Sequence, residues 1–227
     1  MALINGTDDS DDLVGTGKYD FVLGLAGEDT IDTRGGGDYV DAGDGADTVM
    51  GGLGTDTIFG SFGDDTLLGG ADDDGLDGGN DNDVVQGDDG YDLIWGGAGN
   101  DVLKGNKDDD KLYGDADDDR LNGGAGNDRL AGNSGADVLK GVSGDDILIG
   151  GGGDDTFFFD SGQDKINDFD AGLELINLKA IDGLRNYADV ASAATVDGND
   201  VVFEFDDASL TLKGVDFDDL SSDNFLV

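Results

Sequence analysis

Seventeen aspartates stand nine residues apart from Asp11 to Asp155, without insertion or deletion. Carboxylates placed this way have two chemistries open to them: proton transfer between paired acids, and coordination of hard cations through oxygen. The chain has no histidine and no cysteine. Imidazole bases, Ser-His-Asp triads, histidine zinc sites and disulfides are therefore excluded. No nucleophile–base constellation is visible elsewhere, so no enzymatic activity is expected.

Charge favours the cation reading. The formal net charge is −42, with 12 basic residues against 54 acidic ones. Only three of the acids are Glu (Glu28, Glu174 and Glu204) and the rest are Asp, whose short side chain keeps its carboxylate near its own turn. Low hydrophobicity with high net charge is the composition of a disordered chain. Folding is expected to wait on neutralisation, and divalent cations are the obvious agent. Nucleic acid is not an expected partner, because a chain this acidic repels phosphate. No apolar run reaches membrane-spanning length. The opening Met1-Ala2-Leu3-Ile4-Asn5-Gly6 has no basic stretch and no long apolar one, so a cleavable signal peptide is expected to be either absent or already removed.

The elements that must position the carboxylates follow from the same spacing. Number each repeat one to nine, with Asp at six. A glycine occupies position one in fifteen of seventeen repeats, Thr33 and Ala42 being the exceptions. Position eight is apolar in all seventeen, from Leu13, Val22 and Ile31 to Leu148 and Phe157. The most regular turns read Gly51-Gly52-Leu53-Gly54-Thr55-Asp56, Gly96-Gly97-Ala98-Gly99-Asn100-Asp101 and Gly123-Gly124-Ala125-Gly126-Asn127-Asp128. A glycine-rich turn of six followed by a strand of three is the natural parse. Each repeat reverses the chain, so two repeats make a coil of 18 residues. Stacked coils give two parallel sheets facing each other across the position-eight side chains. At about 4.8 Å per strand the roll is roughly 40 Å long. Its contacts are mostly between neighbouring coils.

Turns on one edge then carry Asp11, Asp29, Asp47, Asp65, Asp83, Asp101, Asp119, Asp137 and Asp155. The other edge carries Asp20, Asp38, Asp56, Asp74, Asp92, Asp110, Asp128 and Asp146. Like charges stacked about 5 Å apart repel strongly. Calcium takes six to eight oxygens from carboxylates and carbonyls and suits such gaps, whereas magnesium demands a tighter octahedron. Adjacent pairs frame at most fifteen sites, and fifteen divalent ions would bring −42 to −12. The first turns are degenerate, with Asp8-Asp9-Ser10 in place of glycines and Lys18 at position four of the second repeat, so that end is expected to be weak or empty. Asp20 and the sixth-position aspartates after it are the candidate ligands. Asp72, Asp81, Asp108 and Asp117 replace glycine at position four, where Asp tolerates left-handed backbone better than most residues.

On these motifs residues 6–158 resemble the RTX nonapeptide repeats, whose calcium-binding β-helix form is a known pattern. Residues 159–227 resemble the C-terminal segment of secreted RTX proteins, including serralysin-type proteases, through Phe159-Asp160-Ser161-Gly162-Gln163-Asp164-Lys165-Ile166-Asn167-Asp168-Phe169. The resemblance implies that turn carbonyls and the sixth-position Asp ligate calcium, each turn serving the ions before and after it. Carried over, the carbonyl ligands include Gly51, Gly52 and Gly54; Gly96, Gly97 and Gly99; Gly123, Gly124 and Gly126; and Gly150, Gly151 and Gly153. It also implies type I export through an uncleaved C-terminal signal, here ending Asp223-Asn224-Phe225-Leu226-Val227. A terminal strand packed on the cap is the plainer reading of that tail. The chain departs from the family's enzymes and pore formers: it has no histidine-rich zinc helix, no Gly-x-Ser-x-Gly and no long apolar region.

The nine-residue register is expected to end after Phe158. Beyond it the pattern predicts strands at 173–178, 201–205 and 210–215 and a short helix from Asn186 to Ala194, together a cap over the open end of the roll. Positions seven and nine face outward. One sheet shows Thr30, Thr48 and Thr66, then Val84 and Val102; the other shows Phe21, Tyr39, Phe59, Trp95 and Tyr113 among others. Trp95 and Tyr113 lie one coil apart, close enough to stack. Such a ladder either stabilises the sheet or binds sugar rings. Lys104, Lys107, Lys111, Arg120, Arg129 and Lys140 cluster late in the chain, as internal charge compensation or as a contact for an anionic polysaccharide.

The reading as a whole is all-β: a right-handed parallel β-roll at 1–158 with a small, mostly-β cap and export signal at 159–227. The expected function is calcium binding coupled to folding in a secreted, structural or adhesive module at the cell surface or in the medium. The alternative is a non-catalytic polysaccharide-binding or targeting module of an exported enzyme such as a protease, lipase or alginate epimerase.

Overall fold

The computed structural model describes all residues from Met1 to Val227. The chain winds into a parallel two-sheet β-solenoid of about 10 coils, with roughly 18 residues per turn. Alternate strands go to opposite sheets, one of 13 strands and one of 11. Register between coils is an 18-residue step from Leu3 to Ile166, as in Phe59 to Asp77 and Lys104 to Asn122. No helix is long and apolar enough to cross a membrane.

The core is the expected single file. Position-eight side chains from Val22 to Phe157 are at most 1% exposed, and they form one cluster with the cap. Strand alternation produces this, since only every second side chain of a strand faces inward. Leu13, in the first coil, is only partly covered.

The strands are longer than predicted. A typical one, Thr57–Phe62, has six residues and continues through positions one to three of the next repeat. Positions two and three pair with their counterparts one coil away, as Ser61 does with Gly79 and Phe62 with Asn80. Position one is skipped, and the backbone bends at position two, where Ser61, Asn106 and Asn133 take φ of 83°, 82° and 76°. Gly, Asn and Asp reach this left-handed region most readily.

The repeat register also runs further than predicted. It does not stop at Phe158: Gln163–Ile166 is another strand of the larger sheet, with Ile166 fully buried and paired with Leu148. Asp164 is the next aspartate in the series, nine residues after Asp155. At the other end, Leu3–Asn5 pairs with Phe21, Val22 and Leu23, so a partial coil precedes the first full repeat.

The C-terminal segment closes the roll by continuing both sheets. The strand Ala208–Leu212 pairs in parallel with Gln163–Ile166 and antiparallel with Asp200–Phe205, which in turn pairs with Ala194–Asp197. The terminal strand Phe225–Leu226 pairs with Leu175–Asn177 of the smaller sheet. The helix Tyr187–Ser192 starts at Asn186, whose side chain accepts the N–H groups of Ala188 and Asp189, as predicted for that cap. Phe157, Phe159, Phe203 and Phe225 concentrate aromatic bulk at the junction. In calcium, Leu112→Ala should cost about 2–5 kcal/mol by denaturant titration, whereas the half-exposed Val84→Ala should change stability by less than about 0.5 kcal/mol.

Candidate metal centre

Each turn is built to hold one aspartate in one pose. Positions two and four take positive φ, as Gly97 and Gly99 do at 111° and 125°. Asp72, Asp81, Asp108 and Asp117 take φ of 70–78° at position four, so these turns close as expected without glycine. The sixth-position carboxylate then reaches back one coil. Its Oδ1 accepts the backbone N–H of the aspartate 18 residues earlier: Asp119 from Asp101 at 2.8 Å, Asp110 from Asp92 at 2.8 Å and Asp56 from Asp38 at 2.6 Å.

The other oxygen is left over. Oδ2 is buried and without a hydrogen-bond partner in all fifteen sixth-position aspartates from Asp29 to Asp155. A buried anionic oxygen with no donor is costly, and native structures rarely keep one. Here they stand in two files down the edges of the roll. The floor beneath thirteen of them is the position-one glycine; at Asp38 and Asp47 that position is Thr33 and Ala42. A β-carbon on Gly51 would lie 2.5 Å from Asp56 Oδ2 and 2.6 Å from the Gly69 carbonyl oxygen, so carboxylate and carbonyl converge on space that any side chain would fill. The same two kinds of oxygen crowd the corresponding point at Gly96 (Asp101, Gly114) and Gly132 (Asp137, Gly150), and the carboxylate alone does so at Gly123 and Gly150. No three acidic side chains converge anywhere. A cation in these cradles must therefore take much of its shell from carbonyls, as a hard oxygen-seeking ion can. The donor set fits calcium: one spare buried carboxylate oxygen per turn, with carbonyls beside it.

The electrostatics agree. Burial, with the neighbouring carboxylates of the row adding to it, pushes Asp74, Asp83, Asp110 and Asp119 up to about 8. Burial likewise lifts Asp56, Asp65 and Asp128 to about 7 and Asp92, Asp101, Asp137 and Asp146 to about 6. Asp38, Asp47 and Asp155 are also raised, with burial the first cause.

The two ends of the rows differ. Asp20, expected among the ligands, has no spare oxygen: its carboxylate accepts from the Ala2 and Thr16 N–H groups and from the Thr16 hydroxyl. Burial acts to raise its pKa, but these hydrogen bonds hold it below the usual value. Asp11 is engaged in the same way by the Thr7 N–H and hydroxyl. Threonine at position two thus fills from within the turn the place that later turns leave open, which accounts for the degenerate first turns. At the far end, Asp164 extends one row by accepting the Asp146 N–H, and burial lifts it to about 7. Glu174, 2% exposed and pushed by burial to about 8, takes the place after Asp155, with Leu175 pairing as a position seven.

A second ladder lies at position five, which the repeat pattern does not single out. There the side chain caps forward: Asp64 accepts from Asn82, Asn82 from Asn100, Asn100 from Asp118 and Asp118 from Ala136. The opposite edge has Asp109, Asn127, Asp145 and Gln163 in the same relation.

Two outcomes test this arrangement. The raised carboxylates mean that the metal-free roll binds more protons than the unfolded chain. Its stability is therefore fully present below the ordinary Asp value near 4 and is lost as pH rises through about 6–8. In chelator, β-structure followed by circular dichroism should be gained on acidification from pH 8; in calcium the dependence should reverse, because protons compete for the ligands. Separately, Gly51→Ala should weaken calcium-induced folding by calcium titration, since its methyl group fills the cradle at Asp56.

Comparison with known proteins agrees with this site. The family model described as the RTX calcium-binding nonapeptide repeat (4 copies) matches residues 5–40, 41–76, 77–112, 95–130 and 131–166, so it too runs to Ile166. No curated protein matches the chain. Among solved structures, the chain is similar to the AlgE6R3 subunit of the Azotobacter vinelandii mannuronan C5-epimerase, at 33% identity over 53% of this chain and 78% of that one, with a TM-score of 0.45. It is also similar to the extracellular lipase LipA of Serratia marcescens, at 18% identity and a TM-score of 0.36, over 82% of this chain but only 45% of the lipase. The family match covers most of the chain and coincides with the two files of aspartates: the protein belongs to the RTX calcium-binding nonapeptide repeat family.

Proposed function

We propose that this chain is a secreted, non-catalytic scaffold whose folding is switched on by calcium outside the cell. The observation that carries this reading is the row of fifteen buried, unpartnered Asp Oδ2 atoms, which the fold leaves uncompensated without a cation. Where free calcium is scarce, repulsion within a chain of net charge −42 keeps it extended and exportable. Export by a type I machine that reads the C-terminal residues suits such a chain. Where calcium is plentiful, each site held at ten times its Kd contributes about 1.4 kcal/mol to the folded state.

The ligand set in this reading is the sixth-position Asp from Asp29 to Asp155 with the carbonyls of the adjoining turns, among them those of Gly51, Gly52, Gly54, Gly96, Gly97, Gly99, Gly123, Gly124, Gly126, Gly150, Gly151 and Gly153. Up to about fifteen ions are accommodated, with Asp20 left out because its oxygens are taken. Residues 159–227 act as cap and export signal. Two of the late cations are spent within the protein, Lys107 on Asp89 at 2.6 Å and Lys140 on Asp160 at 2.9 Å, which supports charge compensation over an anionic polysaccharide contact. A second reading, a targeting module of an exported enzyme, draws support from the outward aromatic pairs. Phe21 and Tyr39 stack with centroids 4.8 Å apart, and Trp95 and Tyr113 at 6.0 Å.

The decisive measurement is circular dichroism of the full chain in calcium and in excess chelator, with metal counting on the folded sample. The β-signal should collapse in chelator, and Asp101→Ala together with Asp119→Ala should lower the ion count. A roll that persists in chelator at pH 8 with no bound ion overturns the proposal.

A further inference from the structure

The outer face of the larger sheet carries a set of side chains that the metal rows do not use. The residues following the core positions run in one line down this sheet: Asp41, Phe59, Asp77, Trp95 and Tyr113 are successive register partners. The neighbouring line is interrupted at Gly75, between Thr57 and Leu93. A β-carbon on Gly75 would meet nothing nearer than the Asp56 carbonyl oxygen at 3.9 Å, so the face is notched beside Asp77. On the other side of Asp77 is a pocket of about 210 Å³ lined by Phe59, Ser61, Phe62, Asp77, Gly79 and Asn80. Phe62 is 58% exposed, an unusual place for a ring with no packing duty.

The polar groups of this pocket are mainly acceptors, with one free N–H on the Asn80 amide. The Ser61 hydroxyl is spent on Asp41 at 3.0 Å, and one N–H of the Asn80 amide on the Ser61 carbonyl at 3.2 Å. The half-buried Asp77 carboxylate and the Asn80 carbonyl remain as acceptors. No lysine or arginine occurs between Arg34 and Lys104, so no cation is close in sequence to serve them. An occupant must bring hydrogen-bond donors, an apolar face for Phe59 and Phe62, and no negative charge, because Asp41 and Asp77 repel one. A pyranose ring has that chemistry: hydroxyls around the edge and C–H groups on the faces. A second platform follows along the same line. Trp95 and Tyr113 are nearly parallel, at 19°. Trp95 lies two strands from Phe59, about 9–10 Å away. Ring platforms repeated along a straight line suit a chain of sugars better than a single one.

We propose that this line is a binding site for a linear, uncharged polysaccharide, one ring seated between Phe59 and Phe62 over Asp77 and a later ring on the Trp95–Tyr113 pair. The site rests on the calcium-folded roll proposed above, since only the coil stacking brings these residues into line.

The test is calorimetric titration of the full chain in excess calcium with neutral gluco-, manno-, galacto- and xylo-configured hexasaccharides and their disaccharides. Uronate and glucosamine hexamers serve as charged counterparts. At least one neutral hexasaccharide should bind, and Asp77→Ala or Phe62→Ala should weaken it tenfold or more. Trp95→Ala should abolish the gain of hexamer over disaccharide while leaving the disaccharide unchanged. The site is overturned by binding confined to the charged hexamers, by binding that none of these substitutions alters, or by no binding from a folded chain. Circular dichroism on the same samples separates the two ideas: a roll that forms but binds no sugar removes only this site, whereas no roll in calcium removes the folding proposal and this one with it.

Discussion

One leftover oxygen per turn governs this protein. The sixth-position aspartate uses Oδ1 to cap the N–H of its counterpart one coil back, and the same pose leaves Oδ2 buried with no donor. Glycine stands at position one in all but two repeats, where a side chain would crowd the space that this oxygen shares with a neighbouring carbonyl. The aspartate has two tasks, a structural cap and an anionic ligand, and its length serves both at once. Glu174, longer by a methylene group, takes the corresponding place only after a turn one residue longer than the others.

The coils are fastened in two directions. Position-six side chains cap backward along the roll, and position-five side chains cap forward. Each coil is thus tied to both neighbours by side chain to backbone bonds in addition to the strand ladder. The core needs little more than one side chain per nine residues because so much of the cohesion lies at the edges. The sheet faces are correspondingly free, and their outward residues vary without disturbing the turns.

Much of this is legible in the residues themselves. The spacing of Asp and of the apolar residue two places later yields the coil, the two edges and the single-file core, and it places Trp95 next to Tyr113. Left-handed backbone at Asp72, Asp81, Asp108 and Asp117 follows from what Asp tolerates. What stayed hidden has physical reasons. Asp164 and Ile166 keep the register, but Phe159 and Asp160 stand where glycines mark every regular turn, so the last repeat does not look like one. Glu174 is displaced by an insertion, and no fixed-period count reaches it. Thr16 reads as an ordinary turn residue until its hydroxyl is seen on the Asp20 carboxylate. The strands exceed three residues because glycine-rich backbone still pairs with identical backbone one coil away, whatever its intrinsic preference.

The parity of the winding constrains how such a chain can change length. Consecutive repeats alternate between sheets, so inserting or losing a single nonapeptide would transfer everything downstream to the opposite wall. The column holding Asp77 and Trp95 would be broken up, and the cap would arrive rotated by half a turn. A pair of nonapeptides added or removed together leaves both walls and the cap in phase. Evolution of the roll is therefore quantised in whole coils, and any surface that spans several of them is inherited intact or scrambled at once.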